Sequence, residues 1–479
     1  MNDERVEARN PRGVGDLLPD QMLARLDMID KIRRVYELYG FVPLSTPAIE
    51  HFDTLYGSAG EEMQRSIYRV NAPDGENLGL RFDLTVPLAR VVSQYNDLPR
   101  PFRRYQVSPV WRGGDKPGKG RYREFTQFDL DSVGVESEVA DTEIIAGMCD
   151  TLTALEAKPY IVRYYSRSIL NLLLDFAEIP AELGVDVFRV LDKLEKIGIE
   201  NVRLELTSGY TDASGDQIRG VGLNRQQVDR IEKFLEIKSS HRTDVVEQLR
   251  ELFSGIPRAA AEIDVVDRIS RNLYDLGYGD DQVSLDLSIA RGLAYYTGPV
   301  FEAMLLDAPQ FGSVFGGGRY DDLVLRFLNQ RIPATGASIG VDRLLAALID
   351  LKKAGKQKAT ARVLITTLDK SQMPEYMAMT WELRRAGVPT ELYLGKAKFR
   401  DQLSYADQYE VPIVVIYGSD EKARGQVTIK DMAPGRAIAA SSTDRKEWLA
   451  AQAGQTTVPR TELVQTITRM LEDIEGNHE

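Results

Sequence analysis

Apolar residues recur at Leu23, Leu26, Ile29, Ile32 and Val35 within the segment Asp20–Tyr39, and Gly40 follows where a helix would close. The pattern predicts an amphipathic helix. The next segment, Phe41–Ile49, holds Pro43 and Pro47, which remove ladder donors, so an edge strand is expected there rather than a central one. Arg104–Trp111 and Tyr122–Val133 have extended character and flank the glycine-rich Gly113–Gly120, which predicts a hairpin with a long loop. Helical patterns follow at Val139–Leu155 and, inside a mixed region from Ser166 to Gly279, at Ile169–Phe176, Arg225–Leu235 and Thr243–Phe253. Strand signals return at Val283–Ala290, Gly298–Ala303 and Gly336–Gly340, ahead of a helix over Val341–Leu351.

The lysine-rich stretch Leu351–Thr360, interrupted by glycine, is a linker candidate. Beyond it, short apolar strands at Arg362–Thr367, Thr390–Leu394 and Pro412–Tyr417 alternate with helices at Met373–Ala386 and Ala397–Gln408. This alternation predicts a small parallel or mixed α/β domain. The N-terminal part, with hairpin-joined strands and helices set to the side, predicts an α+β fold on an antiparallel sheet.

The 479 residues, 43% hydrophobic and 28% charged, have a globular composition long enough for about three domains. There is no long apolar run, and the opening MNDERVEARN lacks the charged-then-apolar order of a leader, so a soluble, non-exported, cytoplasmic chain with no membrane partner is expected. Cys149 is the single cysteine, which excludes an intrachain disulfide and leaves too few thiols for a cysteine-ligated metal. His51, His241 and His478 lie far apart and show no metal-binding spacing, so no protein-ligated metal is expected.

A net charge of −12 argues against unspecific adhesion to polyanions. Local charge changes that picture. From Arg100 to Arg123 there are eight basic residues and one acid, Asp115, which suits nucleic acid or merely a solvated strand face. Within this stretch Gly113–Gly120 matches a GxxxxGK phosphate loop, but Gly120 stands where a hydroxyl should hold magnesium, and the loop joins two strands instead of opening a helix. The glycines Gly316–Gly318 lack dinucleotide-loop spacing and point to a close backbone approach or a positive φ. Arg112, Arg291 and Arg343 lie in distant, glycine-bounded segments, where planar guanidinium forks could converge on one polyphosphate or form separate surface ion pairs. Asp83 and Thr85, in RFDLTVP, offer a carboxylate and a hydroxyl beside an apolar helix, suited to a small ammonium group or to a helix N-cap.

These segments resemble the three signature motifs of class II aminoacyl-tRNA synthetases: GFVPLSTPAIE at Gly40–Glu50, WRGGDKPGKGRYREFTQ at Trp111–Gln127 and GASIGVDR at Gly336–Arg343. RGLAYYTGPVFE at Arg291–Glu302 and GGGRYDDLV at Gly316–Val324 resemble the histidine-specific motifs of the histidyl-tRNA synthetase family, and NPRGVGDLLP resembles its N-terminal entry. GSDEKARGQVTIKDM, after the linker, is similar to that family's anticodon-binding domain. The resemblance implies an antiparallel-sheet catalytic domain over residues 1–165 and 280–352, an inserted helical domain over 166–279, and a C-terminal α/β anticodon-binding domain over 358–479.

By the same resemblance, Arg112, Asp115, Arg121 and Arg343 would bind ATP, with magnesium accompanying the nucleotide, and Arg291 would be the catalytic arginine on the α-phosphate. Asp83 would hold the α-ammonium of histidine, with Thr85 and Gln127 near its backbone, while Asp131, Tyr295 and Tyr296 would shape the imidazole pocket. Asp115 stands in for a glutamate of the family, and Ala294 stands where an acid is frequent. A homodimer acting on histidine tRNA is implied. The alternative is the family's non-catalytic relative, the regulatory subunit of ATP phosphoribosyltransferase, which typically lacks the anticodon domain and the ATP-gripping arginines.

Overall fold

Alternation along Glu124–Val133 decides how the larger part of the chain is layered. An extended chain sends successive side chains to opposite faces, so Gln127, Asp129 and Asp131 share one face while Phe128 and Leu130 share the other. The computed structural model describes residues 6–56, 64–114, 116–212, 215–287, 296–355, 358–433 and 454–476. Its contacts separate two units, one holding Arg25–Ala354 and the other Gly355–Glu479.

In the larger unit eight strands form one sheet, in the order Val42–Pro43, Phe102–Trp111, Glu124–Val133, Ala334–Gly340, Ser313–Arg319, Pro299–Leu305, Tyr160–Ser166 and Val283–Leu285. Neighbours are antiparallel except at the two ends of the sheet, where the outermost strand runs parallel to the next. Register carries the alternation sideways. Arg104, Gln106 and Ser108 lie opposite Asp131, Asp129 and Gln127 on one side, and Gly336, Ser338 and Gly340 lie opposite the same three on the other. One face of the sheet centre is therefore polar or bare. The other, with Tyr105, Phe128, Leu130, Ala337 and Ile339, is buried and apolar, and Tyr36 of the helix Pro19–Leu38 meets Phe128 edge-on with ring centroids 5.0 Å apart.

On that apolar side Arg319 ties its strand to the helix Val139–Ala154. Its guanidinium reaches Asp141 at 2.6 and 3.0 Å and donates to the carbonyls of Val135 and Ser137. Tyr320, one residue on, faces the polar side. Cys149, in the same helix, is fully buried, and burial pushes its thiol up to about 12.

Several expectations shift. The first helix buries Met28, Ile32, Val35 and Tyr36, whereas Leu26 is exposed. Five apolar residues spaced only by three rotate about 60° off the stripe at each step, so Leu23 through Val35 cannot share one face; the buried row mixes steps of four and three. Of Phe41–Ile49 only Val42–Pro43 joins the main sheet, at its edge, while Ile49–His51 pairs with Asn77–Leu80 in a separate three-stranded sheet. The strand expected at Val283–Ala290 forms over Val283–Leu285, and residues 288–290 lie outside the described ones. Gly316–Gly318 belongs to a strand: a Cβ on Gly317 would stand 2.1 Å from the Gly336 carbonyl, so close approach is the reason for glycine there. Between Arg167 and Asp275 the chain is mainly helical, adding Gly184–Leu191, Leu194–Leu206 and Ala259–Asp275 to the three helices anticipated. Arg225–Leu235 opens with a capping box in which Asn224 and Gln227 exchange hydrogen bonds of 3.0 Å.

The smaller unit has a five-stranded sheet in the order Thr390–Leu392, Val363–Ile365, Ile413–Ile416, Gln426–Asp431 and Gln455–Pro459. The first three are parallel and the last two antiparallel, so the sheet is mixed. Both faces are buried, Ile365 and Val415 against Tyr376, Leu383, Leu463 and Ile467, and Leu364 and Val414 against Ala406 and Val411. The apolar runs of these strands follow from that double coverage. Among the described residues no helix is long and apolar enough to cross a membrane.

A methyl group on Gly336 would stand 2.0 Å from Asp131 Oδ1 and 2.6 Å from the Leu130 carbonyl. Gly336→Ala is expected to lower stability by about 1–3 kcal/mol, as overpacking does. The urea midpoint checks this, and an unchanged midpoint would show that the two strands separate freely at this point.

Candidate active site

The polar face of the sheet opens into a cavity of about 270 Å³. Asp83, Thr85, Arg112, Arg121, Gln127, Asp131, Tyr296 and Arg343, taken from five separate stretches of sequence, all line it. Arg291, Tyr295 and Asp115, with Ala294, lie outside the described residues.

Register divides the cavity into two ends. Arg112 follows the last residue of its strand, Trp111, which pairs with Glu124, and Arg343 stands in the first turn of Val341–Asp350, directly after Gly340, the partner of Gln127. Arg112 Nε donates to the Phe82 carbonyl at 2.9 Å and its guanidinium lies over the Phe125 ring, while Arg343 Nη1 donates to the Ser313 carbonyl at 2.8 Å. The backbone of Arg121 closes a tight turn with Gly118. A guanidinium fork carries five donors, more than one anchoring bond uses.

Asp131 lies four residues along the strand from Gln127, about 13 Å at the rise of an extended chain. Here Arg104, fully buried, stands 2.8 Å from Asp131 and 3.8 Å from Asp129, and donates to the Leu84 carbonyl at 3.1 Å. The Tyr320 hydroxyl donates to the other oxygen of Asp131. Burial raises the carboxyls of Asp83, Asp129 and Asp131, and Arg104 opposes the rise in all three. For Asp129 the result is a pKa of about 7. Asp83 Oδ1 also accepts from the Val86 amide at 3.0 Å, so the cap and the cavity wall are the same carboxylate. Gln127 Nε2 donates to Ser338 Oγ at 2.6 Å. Tyr296 lies on Gly318, where a Cβ would stand 2.8 Å from the ring.

The cavity thus gathers permanent cations and buried acids in one lining, with Asp342 beside Arg343 and Asp83 under the influence of Arg112. Its described lining contains neither cysteine nor histidine, and Ser313 and Ser338 are already hydrogen-bonded. Such a site suits a reaction whose substrate brings its own nucleophile. Among the described residues no group of three potential ligands could hold a metal ion.

Asp129, Arg104, Tyr320 and Ser338 were not singled out from sequence. The alternation Gln127, Asp129, Asp131 carried the signal for Asp129, whereas Arg104 was hidden inside the basic stretch. That stretch is not one surface. Arg104 is buried, Arg103 pairs with Glu143 at 2.8 Å, Lys119 pairs with Asp350 at 2.7 Å, and Arg112 faces the cavity.

Replacing Arg104 by methionine would leave two buried carboxyls without their cation. Arg104→Met is expected to lose about 3–5 kcal/mol at pH 8 and distinctly less at pH 5.5. The sign follows from proton binding. A carboxyl whose folded pKa is raised holds a proton that the unfolded chain releases, so stability falls as pH rises toward the folded value. Removing the arginine raises that value further, and urea midpoints at the two pH values measure the widening gap.

A model of the family described as histidyl-tRNA synthetase matches residues 13–344, and one described as anticodon binding domain matches residues 362–469. A histidine–tRNA ligase from Cereibacter sphaeroides is 44% identical, with 98% of each chain covered, and one from Dinoroseobacter shibae is 42% identical with the same coverage. The crystal structure of histidyl-tRNA synthetase from Nostoc sp. PCC 7120 superposes with a TM-score of 0.81 at 30% identity, covering 97% of this chain and 100% of that one. With matched segments that include both ends of the cavity and most of the smaller unit, the chain belongs to the histidyl-tRNA synthetase family.

Proposed function

We propose that this chain joins histidine to its tRNA at the expense of ATP, through an enzyme-bound histidyl adenylate. One observation carries the reading: a single cavity is lined by three arginines and by buried acids. In the first step the substrate carboxylate attacks the α-phosphate of ATP and pyrophosphate leaves. In the second the terminal ribose hydroxyl of the tRNA attacks the adenylate carbonyl and AMP leaves. Two anions approach each other in the first step, so fixed guanidinium groups lower the barrier by stabilising charge that develops between them.

In this reading Arg112, Arg121 and Arg343 hold the triphosphate, with Asp115 beside them, and Arg291 acts on the α-phosphate. Magnesium arrives as the counter-ion of ATP. Asp83 takes the α-ammonium, Thr85 and Gln127 border the amino-acid backbone, and Asp131 faces the imidazole with Tyr295 and Tyr296. Residues 1–165 and 280–352 form the catalytic domain, 166–279 the insertion, and 358–479 the part that contacts the anticodon. The enzyme is a cytoplasmic homodimer whose segment Gly40–Glu50, around Pro47, packs against its two-fold mate. The regulatory-subunit alternative loses ground to the arginines retained at positions 112, 121 and 343 and to the anticodon-binding match over residues 362–469.

Pyrophosphate exchange with a panel of amino acids tests the reading. Exchange with histidine alone is expected, and exchange with none, alongside retained histidine binding, would favour the regulatory alternative. Asp83→Ala separates two roles. Loss of the bond to Val86 costs about 1 kcal/mol of stability, and histidine affinity is expected to fall well beyond ATP affinity. Equal losses for both ligands in calorimetric titrations would make Asp83 a cap alone.

A further inference from the structure

The buried row of the first helix runs through Met28, Ile32, Val35 and Tyr36, and Arg25 stands on the same stripe, three residues before Met28. An arginine on a core-facing stripe calls for a partner. Arg25 has two. Its Nη2 donates to Thr126 Oγ1, and its Nη1 lies 3.6 Å from Asp342 Oδ1, with the two charged side chains 17% and 9% exposed. Asp342 lines the active-site cavity beside Arg343, and Thr126 lies between Phe125 and Gln127, which line it as well.

Register explains why an acid stands there. Pairing between Glu124–Val133 and Ala334–Gly340 stops at Gln127 and Gly340, because the chain turns into a helix at Val341. The next amide, that of Thr126, donates to Asp342 Oδ2 at 2.6 Å, so a side chain continues the ladder that the backbone has left. This bond fixes a negative charge among the groups assigned above to the triphosphate. Unopposed, it would repel that anion. Thr126 shares its face of the sheet with Phe128, which Tyr36 of the first helix meets, so Arg25 reaches the junction from the back of the sheet.

We propose that Arg25 is a positioning residue for the nucleotide: it offsets the charge of Asp342 from behind the sheet, so that Asp342 can hold the strand–helix junction beside Arg343 without repelling the phosphates. The inference rests on the reading that Arg112, Arg121 and Arg343 bind ATP, and it requires no contact between Arg25 and the nucleotide.

The role has an electrostatic signature. A phosphate chain feels an unopposed Asp342 in proportion to its own charge, whereas an uncharged nucleoside does not feel it at all. Histidine, with no net charge at pH 8, is affected little. A purely structural anchor would instead weaken every ligand of the cavity together. Arg25→Gln keeps a donor for Thr126 and loses the charge, while Arg25→Lys keeps the charge on a different head group.

Calorimetric titration of the full chain at pH 8 with ATP, AMP, adenosine and histidine separates the two roles. Arg25→Gln is expected to bind ATP about tenfold more weakly, AMP less so, and adenosine and histidine within about twofold of the parent. Arg25→Lys is expected to retain most of the ATP affinity. Pairing Arg25→Gln with Asp342→Asn removes the charge that needs offsetting and is expected to recover ATP binding. Equal losses for ATP and adenosine, an Arg25→Gln protein that binds ATP as the parent does, or a pair that recovers nothing overturns the proposal and leaves Arg25 a helix anchor. Asp342→Asn alone decides the matter if Arg25→Gln does not fold: with Arg25 left unopposed ATP is expected to bind more tightly, and weaker binding overturns the proposal. A parent that binds histidine but no ATP would instead overturn the assignment of the three arginines, and the proposal with it.

Discussion

Arg104 has no exposed surface, and it faces two carboxyls that have almost none. Withdrawing such ions from water costs several kcal/mol each even after the protein relaxes, and the geometry must return that through close contacts. The surroundings are arranged to do so. Leu84 turns its carbonyl toward the guanidinium at the start of one helix, Tyr320 brings a hydroxyl from beyond the end of a strand two places away in the sheet, and Gly336 leaves the volume that Asp131 fills. Three elements distant in sequence are thus held in one register by a charge cluster that tolerates little displacement.

The same cluster explains why one face of an antiparallel sheet can be apolar and the other a reaction chamber. Antiparallel pairing places like-facing residues side by side, so the polarity of one strand is copied to both neighbours. Aromatic and aliphatic side chains on the back bind the sheet to its helices. The front is left to ions whose positions are set by the backbone, with Arg104 set among the acids and Arg112 and Arg343 a few strand residues away. Charges fixed this way need no reorganisation when a ligand of matching sign arrives.

Legibility in the sequence was uneven, for physical reasons. The hairpin over Arg104–Val133 was visible because glycine and proline mark its loop and alternation marks its strands, and the mixed sheet of the smaller unit was visible because its strands are uniformly apolar. The buried face of the first helix is not legible in its apolar spacing, since spacing by three imitates a stripe over short distances only. Asp83, Thr85, Gln127, Asp131 and Tyr296 came to notice through motif likeness, and they share a cavity with the arginines at 112, 121 and 343. Arg104 and Asp129 did not, because a lone charge carries no local sign that it will be buried. That depends on partners contributed by strands far along the chain. Roles for Arg291, Tyr295 and Asp115 rest on likeness alone.

The contact between Gly336 and Asp131 also constrains how this protein can drift. The two positions share one volume, so a side chain at 336 needs both a shorter one at 131 and a shift of the Leu130 carbonyl, which would stand 2.6 Å away. A shorter residue at 131, however, gives up a partner of both Arg104 and Tyr320. Each single step away from the present pair is thereby disfavoured, and a linked change at 131, 336 and 104 must move the backbone of the neighbouring strand as well. Substitution here is expected to come in groups of linked positions or not at all, a form of historical contingency built into a few cubic ångströms of the sheet.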